Sequence, residues 1–319
     1  MRLRLHEALQ EGPEVRVLKE EESGEKRKPP RKMSSSSDRP KLAIGTEIRC
    51  KDGSYLVERL LGSGGFGDVY KVKRNGTAEF YALKTELNEF NGRKVDRLKA
   101  CFYRLSLLST AYHESMTVMT ALASLRDPDK RKHFVQLIDK GKTRHFKLIV
   151  MQMVGPSIED IRRRILCTDF TNRTAMYISQ ETLEGIRDLH TAGFIHRDIK
   201  PQNFAIGIGD KEKTIYVLDL GIAHRFVDKR TGGHKPARPK DDLEAWIYMS
   251  VELYSVSALP WRRVADKHKV LMEKDRFFLA PCAYTYKKAP EGYKSISKYI
   301  DNLTYEEEPN YSVIQVKLT

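Results

Sequence analysis

Eight residues near the middle of the chain place three kinds of chemistry on one short loop. The run His196-Arg-Asp198-Ile-Lys200-Pro-Gln-Asn203 carries a carboxylate, a cation two residues later and an amide five residues after the carboxylate. A carboxylate can accept a hydroxyl proton, a lysine can neutralise a phosphate, and an amide oxygen can bind Mg²⁺. Asp219 follows the strand-like run 214–218 and adds a carboxylate as a second ligand for the metal ion. Together the two segments predict a site for a phosphate and a metal ion, built from a loop and a strand end.

A glycine-rich turn earlier in the chain suits the same chemistry. The pattern G-x-G-x-x-G-x-V is matched by Gly62-Ser-Gly64-Gly-Phe-Gly67-Asp-Val69. Taken alone, such glycines are ordinary hairpin residues, but here they join two predicted strands, which disfavours a dinucleotide-binding fingerprint. The run Ala82-Leu-Lys84 lies on the next predicted strand and ends 17 residues after Gly67. This spacing favours a backbone lid over phosphates and a lysine that reaches them.

The hydrophobic pattern divides the chain into a β-rich part and a later α-rich part. Strands are predicted at 55–61, 68–74, 79–84, 134–138 and 148–153, with a turn at Asn75-Gly76. Helical spacing predicts helices over 112–125 and 175–192 and a helix buried on all sides over 242–254. The residues after Tyr305 are expected to leave little room for a last helix.

The composition bounds the class of protein. A chain of 319 residues with 40% hydrophobic content can form one large two-lobed domain with a real core. No apolar run approaches the length of a membrane span, and the first residues lack a signal-peptide core, so neither membrane insertion nor secretion is expected. Four scattered cysteines without a C-x-x-C pair favour a reducing compartment, cytoplasm or nucleus, over a zinc site or disulfides. Residues 1–40, with charge blocks and a serine run, are predicted to be a disordered leader.

The chain is strongly basic, with 57 Lys+Arg against 43 Asp+Glu and a net charge of 57 − 43 = +14. Two stretches hold much of the excess, 126–147 and 219–240. A solvated surface, attraction to acidic or phosphorylated proteins, and attraction to nucleic acid are three interpretations of this charge. No motif with interleaved aromatic residues supports the third, so nucleic acid is not an expected partner.

In this order, the motifs resemble those of the eukaryotic protein kinase family from about Gly45 to the C-terminus. Three segments are most similar to the casein kinase I group, on its tau-tubulin kinase-like branch: 148–160, 196–204, and 240–246 together with 259–262. With Lys200 two residues after Asp198, the motif resembles that of serine/threonine kinases rather than that of tyrosine kinases. The resemblance implies an α+β bilobal fold over residues 41–319, with a small β-rich N-lobe at about 45–153 and a larger α-rich C-lobe at about 156–319.

The resemblance also implies a role for each matching residue, with ATP and Mg²⁺ as cofactors. Asp198 becomes the catalytic base, Lys200 stabilises the transferred phosphate, and Asn203 and Asp219 bind Mg²⁺. Lys84 binds the ATP phosphates. The other ATP-binding positions are the glycines of the turn, the ion-pair partner of the lysine, the adenine slot and the hinge: Gly62, Gly64, Gly67, Val69, Ala82, Glu114, Met151, Met153, Val154 and Ala205. His196, Arg197 and Asp242 support the catalytic loop. The implied partners are protein substrates, acidic or pre-phosphorylated, and the implied state is a monomer.

Three departures from the family pattern affect these expectations. Glu114 lies 30 residues after Lys84, a longer spacing than such kinases show, so 88–111 resembles an insertion. The metal motif reads Asp219-Leu-Gly instead of Asp-Phe-Gly, a mild change because leucine also fills an apolar position. Only 23 residues separate Asp219 from Asp242, so the activation segment is predicted to be shortened at 232–241. A splice form, a gene-model error and a pseudokinase acting as a nucleotide-binding interaction module all remain open alternatives to an active enzyme.

Overall fold

The computed structural model describes residues 40–64, 67–90, 93–94, 111–226, 238–281, 285–304 and 306–318. All but the last residue of the predicted leader, most of the predicted insertion at 88–111 and most of the predicted short segment at 232–241 therefore lie outside the described residues; of the insertion, residues 88–90, 93–94 and 111 are described.

The first part of the chain forms an antiparallel sheet. Its strands are β1 (Glu47–Arg49), β2 (Ser54–Gly64), β3 (Gly67–Arg74) and β4 (Phe80–Leu87), a short separate hairpin of β5 (Glu89–Phe90) and β6 (Arg93–Lys94), and then β7 (Leu137–Lys142) and β8 (Phe146–Gln152). The six-stranded sheet has the order β1-β2-β3-β4-β8-β7. Alternate residues, among them Tyr55, Val57, Tyr70 and Val72, pack together on one face as a separate small core.

Four of the five strands predicted from the sequence, and the predicted turn, are present in the structure. The strands predicted at 55–61, 68–74, 79–84 and 148–153 are confirmed as β2, β3, β4 and β8, and Gly76 takes a positive φ of 76° in the predicted turn. The strand predicted at 134–138 is wrong in position, because β7 begins at Leu137. Phe134 instead forms a single parallel bridge with Val217 and packs into the core of the larger lobe.

Two more strand pairs lie in the larger lobe. β9 (Phe194–Ile195) pairs with β12 (His224–Arg225), and β10 (Phe204–Ile206) pairs with β11 (Ile215–Val217). These short strand pairs flank the run 196–203, in which the sequence predicts a phosphate and metal site. They fix both ends of that loop.

Helices make up most of the larger lobe. They are α1 (Ala111–Ala123), which packs beside the sheet, α2 (Ile158–Asp160) with a following π turn (Ile161–Leu166), α3 (Asn172–Thr191), α4 (Pro239–Tyr254), α5 (Lys267–Leu279), α6 (Gly292–Asn302) and α7 (Tyr311–Leu318). The side chains of Ser157, Thr171 and Asp266 cap α2, α3 and α5 by accepting hydrogen bonds from first-turn backbone N–H groups. The helices predicted at 112–125 and 175–192 are confirmed.

Helix α4 forms the centre of the larger lobe. Leu243, Trp246 and Ile247 have no exposed surface, and the Trp246 indole donates to Thr182 Oγ1 on α3 at 3.1 Å. A helix that is apolar around its circumference is stable only when it is buried on all sides. The predicted burial of 242–254 is therefore confirmed.

The expectation that little room remains for a last helix is wrong. Helix α7 buries Ile314 and Leu318 against the larger core, because two apolar residues four apart fall on one helical face. At the start of α6, a Cβ on Gly292 would lie 2.0 Å from the Lys317 carbonyl oxygen of α7. The two helices therefore pack at close backbone contact. Across the parts of the chain that the structure describes, no helix has the length and apolar character to cross a membrane.

Candidate active site

The glycine-rich turn joins β2 to β3, and its three glycines differ physically. Gly67 has a φ of 138°, and a Cβ there would lie 1.7 Å from the carbonyl oxygen of Thr85 on β4. The packing of β3 on β4 therefore requires glycine at this position. A Cβ on Gly62 would meet no atom of the described structure within 4 Å, and a Cβ on Gly64 would only touch Gly67 O at 4.0 Å. As far as the described residues show, the space beside these two glycines is open, as a lid over a phosphate requires.

The register of the sheet aligns the predicted ATP-binding residues on one face. Gly62 lies opposite Val69, and Val69 lies opposite Lys84. Ala82 lies opposite Met151 in the neighbouring row. Directly opposite residues in antiparallel strands point to the same face. Met151 packs against the core of the larger lobe, so this face is turned towards that lobe.

Lys84 connects the two lobes through an ion pair. Its Nζ lies 2.6 Å from Asp219 Oδ1, with the two side chains 17% and 30% exposed. Burial by itself would raise the pKa of Asp219, but the Lys84 ammonium holds that pKa below its ordinary value. Asp219 is therefore ionised at neutral pH. Glu114, the predicted partner of Lys84, lies in α1, but its side chain is outside the described part of the structure, so that pairing stays a prediction.

The loop at 196–203 brings its three chemical groups into contact. Lys200 Nζ lies 2.6 Å from Asp198 Oδ2. Asn203 Nδ2 donates to the same carboxylate oxygen at 2.9 Å and to the Asp198 backbone carbonyl at 2.7 Å. Pro201 begins a short 3₁₀ turn at 201–203, which folds Asn203 back onto Asp198. The Asp198 side chain stays 25% exposed, so a substrate hydroxyl can approach it.

The β10–β11 hairpin places Asn203 and Asp219 side by side. Phe204 pairs with Val217, and the backbone N–H of Leu218 donates to the carbonyl of Asn203 at 2.8 Å. The amide nitrogen of Asn203 is committed to Asp198, so its amide oxygen is the atom left to bind a cation. With the Asp219 carboxylate it forms a pair of hard oxygen donors, which Mg²⁺ prefers.

This donor set fits a cation that is shared with phosphates. Among the residues that the structure describes, no group of three or more His, Cys, Asp or Glu could hold a metal. Mg²⁺ is commonly bound by one or two protein oxygens together with substrate phosphates rather than by a full protein cage. Asn203 and Asp219 match that mode of binding.

Asp242 supports the loop from beneath, at the start of α4. Its Oδ2 accepts from the backbone N–H of His196 at 2.6 Å, and its Oδ1 accepts from that of Arg197 at 2.8 Å. Complete burial alone would raise the pKa of Asp242, but the hydrogen bond from His190 and the nearby His196 hold it below its ordinary value. A buried carboxylate with several N–H donors remains charged and fixes the backbone that it accepts from.

His196 connects the loop to the second acidic segment. Its Nε2 lies 2.9 Å from the carbonyl oxygen of Leu218, and its Nδ1 accepts from the backbone N–H of Asp198 at 3.2 Å. This side chain thus lies between the two aspartates that the sequence singled out.

The predicted hinge follows β8 and docks on β10. The N–H of Gly155 donates to Ile206 O at 2.8 Å, and a single bridge joins Ser157 to Ala205. Met153 and Val154 therefore lie on the segment that leads into these contacts, and Ala205 is fully buried. The residues predicted to line an adenine slot lie on these adjoining elements.

The segment after Asp219 is described only as far as Phe226. The backbone N–H of Phe226 donates to Gly193 O at 3.2 Å, and the Arg225 guanidinium lies 4.3 Å from the centre of the Phe194 ring. The next described residue is Arg238, which precedes α4. Most of the shortened segment predicted at 232–241 lies in between, so its shortening stays a prediction.

Two charged or polar neighbours of the site have no role in the sequence motifs. Asp68, directly after Gly67, is only 3% exposed and accepts from Ser63 Oγ at 2.5 Å, which ties the two sides of the glycine-rich turn together. His190, at the end of α3, contacts Asp242 Oδ2 through its Nε2 at 2.8 Å. The sequence signals for them were only an acidic residue directly after the last glycine of the turn and a histidine six residues before His196.

The family comparison agrees with this geometry. The protein kinase domain family matches residues 55–253, a range that holds the glycine-rich turn, the catalytic loop and α4. The chain therefore belongs to the protein kinase domain family, and the predicted α+β bilobal fold is confirmed. Proteins of this family use ATP and a divalent metal.

Curated relatives narrow the class. The Caenorhabditis elegans serine/threonine-protein kinase spe-6 is 32% identical over 298 residues, which cover 85% of this chain and 73% of the relative. A second protein of that organism, ZK507.3, also carries the name of a serine/threonine-protein kinase and is 30% identical over 303 residues, 90% of this chain and 75% of its own. By family, the chain is a protein serine/threonine kinase.

Proposed function

We propose that this chain transfers the γ-phosphate of ATP to serine and threonine hydroxyls of proteins, with Mg²⁺, as a member of the casein kinase I group. One observation carries the proposal. The Asp198 carboxylate, the Lys200 ammonium and the Asn203 amide converge within 2.6–2.9 Å on one loop. Phosphoryl transfer needs a proton acceptor, a cation and a metal ligand in such a cluster.

The roles of the residues follow from their chemistry. Asp198 accepts the proton of the substrate hydroxyl. The oxygen of that hydroxyl forms a bond to the γ-phosphorus, and the bond between the γ-phosphorus and the ADP oxygen breaks. Lys200 neutralises charge on the transferred phosphate, and Lys84 holds the other phosphates. Bound at Asn203 and Asp219, Mg²⁺ would neutralise charge on the phosphate oxygens.

The substrate class in this proposal is acidic or pre-phosphorylated protein. On the π turn that follows α2, Arg163 pairs with Glu159 at 2.6 Å and Arg164 pairs with Asp160 at 3.4 Å, and the two arginine side chains keep 63% and 71% of their surface exposed. Helix α2 itself packs against the 3₁₀ turn that carries Asn203. Exposed guanidinium groups beside the catalytic loop attract carboxylates and phosphates.

The casein kinase I assignment and the setting of the enzyme belong to the same proposal. The assignment is supported by the sequence of the hinge, the catalytic loop and the start of α4. The scattered cysteines favour an intracellular location. A monomeric state is part of the proposal, and light scattering of the purified chain tests it.

Two measurements on the purified full chain test the function. Thermal-shift titration should show stabilisation by Mg-ATP, as mass action requires of a ligand that binds the folded state. Transfer should be faster to acidic or pre-phosphorylated peptides than to neutral peptides of the same length. Equal rates for the three peptides would contradict the substrate class. Binding of Mg-ATP without transfer to any peptide would contradict the enzyme and favour the nucleotide-binding interaction module.

A further inference from the structure

Helix α7 reaches the support of the catalytic loop through one side chain. The hydroxyl of Tyr311 forms a short hydrogen bond with His190 Nδ1. The other ring nitrogen, Nε2, lies 2.8 Å from Asp242 Oδ2. Asp242 in turn accepts the backbone N–H groups of His196 and Arg197. A continuous chain of hydrogen bonds therefore runs from α7 to the residue before Asp198.

The proton positions along this chain follow from the chemistry of its members. Asp242 is ionised and can only accept, so the facing Nε2 of His190 must carry a hydrogen. A neutral imidazole with its hydrogen on Nε2 has an acceptor at Nδ1, to which the Tyr311 hydroxyl can donate. Burial, followed by the nearby Asp242 charge, raises the pKa of Tyr311, which keeps the phenol protonated and able to donate.

We propose that Tyr311 is a positioning residue that fixes His190 in the Nε2–H tautomer and so completes the set of donors around Asp242. The contact of Asp242 with the loop is part of the family resemblance, whereas the link to α7 comes from the contacts of Tyr311 itself. The effect on catalysis rests on the proposed function, but the effect on the tautomer does not.

The backbone beside Asp198 explains why this support matters. Arg197 has a φ of 70°, in the left-handed region that non-glycine residues seldom adopt. Such a conformation persists only where the surroundings fix it. Asp242 Oδ1 supplies that restraint through the Arg197 N–H at 2.8 Å, and His190 keeps the carboxylate oriented. A small shift of this backbone would move the adjacent Asp198 away from its working position.

The tautomer is read directly by NMR on the full chain with ¹⁵N-labelled histidine. The His190 signals are assigned by their absence from a His190→Gln variant. We expect the wild-type ring to carry its proton on Nε2 and to have an unprotonated Nδ1. Tyr311→Phe should change the Nδ1 shift or mix the tautomers. A wild-type ring protonated on Nδ1 would overturn the proposal, and this result does not depend on the Tyr311→Phe variant.

Kinetics supply the second arm, with a matched control. Tyr299→Phe removes a hydroxyl at the same junction, where Tyr299 accepts from the Asn310 N–H at 2.7 Å without touching His190. Tyr311→Phe should lower kcat about fivefold to tenfold with an unchanged KM for ATP, while Tyr299→Phe should leave kcat unchanged. Equal losses from both variants, or unchanged His190 signals in Tyr311→Phe, would refute the positioning role. A wild-type chain without transfer would refute only the proposed function, because the NMR arm would still decide the tautomer.

Discussion

Gly67 and Gly62 of the glycine-rich turn should respond differently to substitution by alanine. Gly67→Ala places a Cβ 1.7 Å from the carbonyl oxygen of Thr85, at a backbone φ of 138° that L-residues rarely adopt. The strained backbone costs about 1–3 kcal/mol. The overlap with β4 costs about 1–3 kcal/mol more. The folded state should therefore lose about 2–6 kcal/mol, which lowers Tm by about 5–15 °C.

Gly62→Ala is the matched control in the same turn. Its Cβ would meet no described atom within 4 Å, and alanine in a strand is slightly more stable than glycine. We expect Tm to stay the same or rise slightly, while the affinity for Mg-ATP falls, because the added methyl group occupies space beside the proposed phosphates. Differential scanning fluorimetry with and without Mg-ATP measures both effects.

The outcome separates a glycine needed by the fold from one needed by the ligand. If Gly67→Ala melted within about 2 °C of wild type, the close contact between β3 and β4 would not be a feature of the protein in solution. If Gly62→Ala bound Mg-ATP as tightly as wild type, the phosphates would not lie against that part of the turn.

Further substitutions test other parts of the site. Asp198→Asn should keep Mg-ATP binding but lower transfer by a factor of about 10²–10⁴, because an amide cannot accept the hydroxyl proton, as binding and single-turnover assays would show. Asp219→Ala should weaken Mg²⁺-dependent binding itself, and equal binding losses in these two variants would contradict the separation of base from metal ligand. Thr231→Ala, in the segment outside the described residues, should change activity by less than about threefold, or roughly 0.7 kcal/mol, whereas a tenfold loss restored by Thr231→Glu would indicate a phosphorylation switch. Because the folded-state pKa of Asp219 is depressed, its contribution to stability is present above its unfolded-state pKa and is lost as the pH falls through the folded-state pKa; acid titration of Tm should therefore show a smaller loss below about pH 5 in Lys84→Gln than in wild type.

The parts of the site that local chemistry determines could be predicted from the sequence. The loop from His196 to Asn203 is short, so its carboxylate, ammonium and amide must lie near one another. The glycine pattern and the alternating strands beside it also set the register that aligns Val69 with Lys84. In both cases the arrangement depends on residues that are near one another in the sequence, and the same arrangement is found in the structure.

Contacts between distant parts of the chain could not be predicted in the same way. Phe134 has a strand-like pattern, but its packing in the larger lobe depends on Val217, which a local pattern cannot show. The link from Tyr311 to His190 spans 121 positions and depends on how α7 docks. A single tyrosine at the start of a short helical segment gives no sign of its partner.

One measurement tests most directly whether this polypeptide itself phosphorylates serine and threonine. The purified full chain is incubated with Mg²⁺ and ATP labelled on the γ-phosphate in the presence of an acidic protein, and the product is hydrolysed to phosphoamino acids. We expect labelled phosphoserine and phosphothreonine from wild type and a loss of both from Asp198→Asn. Equal label in the two preparations, or label on tyrosine alone, would contradict it.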